Sequence, residues 1–126
     1  AASVVAYVNV SAWTGIRTSG SLDQNNGASN ASGTSHSHGS ITTTGAGVII
    51  TASAQSGVAT ETVSSGFTEL TNTAARDYFQ YKISASPETT TATYTTAGSV
   101  ATTGKIANFL DVAVATTRPM MLLGVG

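Results

Sequence analysis

The chain contains no cysteine, so neither a disulfide framework nor a thiolate metal centre can be built from it. Charge is scarce as well. Only 9% of residues are Asp, Glu, Lys or Arg, and the formal net charge is -1. That balance offers no electrostatic footprint for nucleic acid or for an anionic membrane surface. No run reaches the roughly 18 consecutive apolar residues of a membrane-spanning helix. Glu, Lys, Leu and Gln are sparse, and no stretch shows a helical period of apolar positions. There is no G-x-S-x-G elbow around any serine. The carboxylates Asp23, Glu61, Glu69, Asp77, Glu88 and Asp111 carry no spacing that defines an acid/base pair. These gaps lead us to expect no catalytic residues, no cofactor and a non-enzymatic protein.

What is present is small and β-forming: 22 Thr, 16 Ser, 19 Ala and 13 Gly in 126 residues, a length suited to one domain. The organising stretch is Gly33 to Ala54, GTSHSHGSITTTGAGVIITASA. It reads as a polar loop, the Thr-rich strand Ser40–Thr44, a Gly-Ala-Gly turn and the apolar strand Gly47–Ala54. Within that last strand Val48, Ile50, Ala52 and Ala54 alternate with Ile49, Thr51 and Ser53, which predicts the Val48/Ile50 face on the core. Ser3–Trp13 alternates similarly. Gly15–Gly33 is rich in Gly, Asn and Ser and reads as a long loop. Asp77–Ala85 is a strand with Phe79, Tyr81 and Ile83 on one face. Thr89–Thr96 is a Thr-rich strand, Gly98–Gly104 a loop, and Lys105–Ala115 the last strong strand. About seven to eight short strands divided by turns predict an all-β, antiparallel sandwich, jelly-roll-like, over residues 1–115.

The chain begins at Ala1 rather than Met, which suggests processing, trimming or a start inside a longer protein. The segment 116–126 is an apolar tail. Met120, Met121, Leu122, Leu123 and Val125 are expected to dock on the domain or on a neighbouring subunit, because an exposed strand of this kind invites aggregation.

The order of these pieces resembles a known group. The run YVNVSAWTGI, then SLDQNNGASNASGTSHSHGSITTTGAGVIITASA, then VSSGFTEL, DYFQYKISASPETTTATYTTAG and ANFLDVAVA is similar to β-sandwich domains of tailed-phage virion structural proteins and of bacterial surface proteins. The likeness runs from about Val4 to Ala115 and lies in the order of the motifs. It implies a structural component of a virion, such as a capsid decoration, head-fibre or tail-associated protein. Such a component packs against other virion subunits as a homo-oligomer, with a trimer favoured. Domains of the group carry further strands ahead of the segment matching Val4–Trp13, which implies completion by upstream residues or by a partner strand. The alternative is a secreted or cell-surface carbohydrate-binding or adhesion module.

Three residue sets are candidates for chemistry. His36 and His38 form an H-x-H pair whose imidazoles share one face of an extended segment and could hold a metal, most simply around a threefold axis. The bland reading is two solvated loop histidines. Trp13, Tyr78 and Tyr81 could form a glycan-stacking surface; the bland reading places them in the core. Asp23 with Asn25 and Asn26 could bind calcium in a loop, although the EF-hand spacing is absent; solvated turn residues are the plainer account.

Overall fold

The computed structural model describes residues 12–72 and 77–112. Five strands form one antiparallel sheet: β1 (Leu22–Thr42), β2 (Gly47–Gln55), β3 (Thr68–Asn72), β4 (Asp77–Ser84) and β5 (Thr89–Leu110), in the order β1-β5-β2-β4-β3. No helix occurs among the described residues. The all-β, antiparallel class expected from composition is therefore observed, with five strands among the described residues where about seven to eight were expected of the chain; residues 3–11 of the expected strand Ser3–Trp13 lie outside the described residues. Within the described residues, separate short segments fuse. The expected loop Gly15–Gly33 contributes its second half to the 21-residue β1. The strand-loop-strand division expected from Thr89 onward is, over Thr89–Leu110, one 22-residue strand, β5.

Each long strand is bent. The first half of β1 pairs with the second half of β5, from Leu22↔Phe109 to Asn30↔Thr102, and the second half of β1 pairs with the first half of β5, from Ser35↔Thr95 to Thr42↔Thr89. Between these blocks the register shifts twice, around Gly33. Bulges of this kind unpair a residue and bend a ribbon. Asn30 holds the bend. Its amide nitrogen donates to the Ser37 carbonyl at 2.9 Å and to Thr102 Oγ1 at 3.0 Å, while its oxygen accepts the Ser37 N–H at 3.1 Å. The ribbon then lies back over itself. Asn26 donates to the Ser40 carbonyl across the fold, and the Asp23 carboxylate accepts the Thr44 N–H and hydroxyl.

The two layers touch at glycines. A Cβ on Gly104 would lie 2.6 Å from the Cα of His38, and one on Gly39 would lie 3.2 Å from the amide nitrogen of Gly27. Gly39 also has φ of 112°, a backbone region that disfavours side chains. The segment around Glu61 extends the overlying layer, since Thr62 N–H donates to the Thr95 carbonyl and Ala97 N–H to the Thr60 carbonyl.

This fold-back reverses the expected orientation of β2. The face between the layers is Ile49, Thr51, Ser53 and Gln55, all buried, while Ile50, Ala52 and Ala54 on the other face are only partly covered or exposed; Val48 shares that other face but is itself buried at 2% exposure. In β4 the enclosed residues are likewise Tyr78 and Gln80, whereas Phe79, Tyr81 and Ile83 lie on the other side. A period of two states that the faces differ, but not which one is covered. Ile41, Ile49, Ala92 and Ile106 form the apolar end of the enclosed layer, with Phe67 packed against them. Leu22, at the start of β1, is 51% exposed.

Candidate functional site

The other end of the enclosed layer is polar, and its centre is Glu61. An isolated bridge to Thr96 carries this residue inward, where the side chain is fully buried. Burying a carboxylate is costly unless donors surround it. Ser53 Oγ donates to Oε2 at 2.6 Å, and Gln55 Nε2 approaches the same oxygen at 3.4 Å. Gln80 Nε2 donates to Oε1 at 2.9 Å, and His38 Nε2 lies 3.5 Å from Oε1. The Gln80 amide is engaged at both ends, because its oxygen accepts the Ser64 N–H at 2.7 Å. Ser53 and Gln55 come from β2 and Gln80 from β4, so the strands present one polar row to a carboxylate from the opposite layer.

His36 and His38 lie in this interior at 3% and 0% exposure, which corrects the picture of solvated loop histidines. The ring of Tyr94 packs beside both, with centroids 5.3 Å from His36 and 4.3 Å from His38. Their Nε2 atoms have different neighbours. His36 Nε2 is 3.1 Å from Thr96 Oγ1. Thr96 gives its own proton to the Gly98 carbonyl at 2.8 Å, so His36 is the donor in that contact. His38 Nε2 faces Glu61. No cluster of three or more His, Asp or Glu suited to a metal forms among the described residues. Tyr94 donates to Thr102 Oγ1 at 2.8 Å, and burial pushes its hydroxyl above the usual phenol range.

The aromatic candidates divide between the two sides of the sheet. Trp13 and Tyr81 meet edge to face at 4.9 Å on the outer side, while Tyr78 is buried and donates to the Ala59 carbonyl. The three therefore make no common platform. The outer side is instead an apolar groove lined by Trp13, Ile16, Val48, Ile50 and Phe109, with Ile83 beside it at 64% exposure. Its rim is tied by Ile16 bridging Asp111 and by Val112 N–H donating to the Gly15 carbonyl.

Asp23 does not assemble a calcium loop. Its oxygens accept from Thr44 and from Asn108 Nδ2, and Asn26 reaches across to Ser40. Burial raises the Asp23 carboxyl, but the hydrogen bonds from Thr44 and Asn108 outweigh it and leave the group below its usual range. The tail residues Met120, Met121, Leu122, Leu123 and Val125 lie outside the described residues, as does the whole segment 116–126.

The Glu61 cluster escaped the sequence reading. Ser53, Gln55, Glu61 and Gln80 belong to no motif, and only the fold-back brings them together. Comparison with protein-family models, curated proteins and solved structures gives no match to this chain.

Proposed function

We propose that the chain is a non-enzymatic structural component of a virion, of the capsid-decoration, head-fibre or tail-associated kind, working through subunit-subunit packing. The finer fold reading belongs to this proposal: a jelly-roll-like sandwich in which the folded-back β1/β5 ribbon supplies the second layer. The observation that carries the proposal is the outer side of the sheet. Ile50, Phe79, Tyr81 and Phe109 are only partly covered there, and Ile83 is largely exposed. Contiguous apolar surface of this kind marks an interaction site. Association with further copies of the chain is a common way to cover one, and the trimer is the form that the resemblance implies. The low charge and the ordered Thr-rich motifs agree with a packing role.

Mass photometry and sedimentation of the purified chain test this reading. A trimer is expected, dissociating on the Ile83→Lys substitution while the circular dichroism of the sheet is unchanged. A monodisperse monomer at micromolar concentration overturns it. Saturable binding on a glycan array, lost on Trp13→Ala, would establish the carbohydrate-binding alternative in its place.

A further inference from the structure

The buried cluster holds the parts of a self-modification reaction. We propose that Ser53 and Gln80 become joined by an intramolecular ester bond, formed once and autocatalytically, with Glu61 as the proton carrier. This rests on the enclosed contacts and is independent of the assembly role above.

One carboxylate grips both reactants. Ser53 Oγ donates to Glu61 Oε2 at 2.6 Å, and Gln80 Nε2 donates to Oε1 at 2.9 Å. The first contact is what a general base makes with the hydroxyl it activates. The second places the same group against the nitrogen that must leave. The amide oxygen of Gln80 receives the Ser64 backbone N–H at 2.7 Å, a donor aimed where negative charge develops when a carbonyl carbon is attacked. On the sheet Ser53 stands opposite Tyr78, so Gln80 is its diagonal neighbour on the same buried face. Long side chains reach across such diagonals.

The step balances without a co-reactant. Ser53 Oγ loses its proton to Glu61 Oε2 and bonds to Gln80 Cδ, giving a tetrahedral adduct whose oxyanion is held by the Ser64 N–H. The Cδ–Nε2 bond then breaks. The nitrogen takes the proton from the Glu61 carboxyl group, which turns about its Cγ–Cδ bond to deliver it, and departs as ammonia. The carboxylate is restored, and β2 and β4 are tied by an ester. Burial favours this outcome over hydrolysis: Ser53, Glu61 and Gln80 are 4%, 6% and 1% exposed, so water is kept from the acyl carbon. In a chain with no cysteine, the bond would supply the cross-strand covalent link that a disulfide supplies elsewhere.

Intact-mass spectrometry of the folded wild-type chain decides the matter. A covalent loss of ammonia lowers the mass by about 17 Da relative to the sequence. Tandem spectra should show a Ser53 peptide joined to a Gln80 peptide, and hydroxylamine should open the link. Ser53→Ala and Glu61→Gln should each restore the full mass; Ser53→Ala removes a single oxygen and keeps the comparison sound if Glu61→Gln fails to fold. A wild-type chain at its full sequence mass overturns the proposal. So does a loss that persists in Ser53→Ala and maps to Asn26-Gly27, where succinimide formation releases ammonia too.

Discussion

Replacing Gly104 by alanine tests the contact between the two layers. In an ordinary strand the change removes unfolded-state freedom and stabilises by about 0.4–1 kcal/mol. Here the added methyl would meet the His38 Cα at 2.6 Å, the Ser37 carbonyl oxygen at 2.9 Å and the His38 ring at 3.2 Å. The nearest atoms are backbone, which cannot rotate away. One layer must lift, loosening the packing of Tyr94 on His38. Overpacking of this kind costs about 1–3 kcal/mol, and the unyielding neighbour argues for the upper end. For a domain of this size a loss of about 3 kcal/mol lowers Tm by on the order of 10 °C. Gly98→Ala is the control, since its Cβ would meet only the Ala59 methyl at 3.9 Å. Urea and thermal unfolding of both variants give the readout. If Gly104→Ala matches or exceeds the stability of Gly98→Ala, the ribbon does not fold back as described, and the enclosed polar cluster goes with it.

Two further perturbations address the bend and the carboxylates. Asn30→Ala removes all three contacts that clip the ribbon, and leaves the Ser37 N–H without its acceptor. A loss of about 1–3 kcal/mol in urea unfolding is expected, and no change would show the bend to be held by the bulges alone. Asp23 and Glu88 both titrate below their ordinary values of 3.8 and 4.5, Asp23 through Thr44 and Asn108, Glu88 chiefly through the Lys82 ammonium at 2.6 Å. A depressed folded-state value contributes stability that is fully present above the unfolded value and is lost as pH falls through the folded one. Stability should therefore be flat above about pH 5 and fall below pH 4. Asp23→Asn should flatten part of that fall, and an unaltered acid limb would refute the assignment.

Much of the fold could be read from the residues, for identifiable reasons. β4 was predicted over Asp77–Ala85 and found at Asp77–Ser84, because aromatic and β-branched residues alternate there without glycine. β2 has the expected bounds within a residue, since a Gly-Ala-Gly turn precedes it. What escaped was the choice of face. Alanines at 52 and 54 make the outer side of β2 look like core, while Thr51, Ser53 and Gln55 look like surface. Burial of that polar row depends on partners from distant segments, Glu61 above all, and no local pattern encodes them. β1 escaped for a related reason. DQNNGASNASG has the composition of turns, and only its pairing with β5 makes it a strand. The histidines stood out as a motif, yet the alternation that places them on one side of a strand does not say that the other layer closes over them.

The dependence of β1 and β2 on β5 also sets an order of events for the growing chain. Asp23 and Asn108, joined by a hydrogen bond, are 85 residues apart. At synthesis rates of roughly 5–20 residues per second, β1 waits on the order of ten seconds for its partner to be made. A long unpaired strand is an invitation to wrong pairing, least so when it is polar and glycine-interrupted. The Asn, Ser and Gly content that hid β1 as a strand is thus what lets it wait safely. The apolar β2 also precedes its two neighbours, and is far shorter. Folding of this sheet is accordingly expected to be slow and late, completed only when β5 arrives.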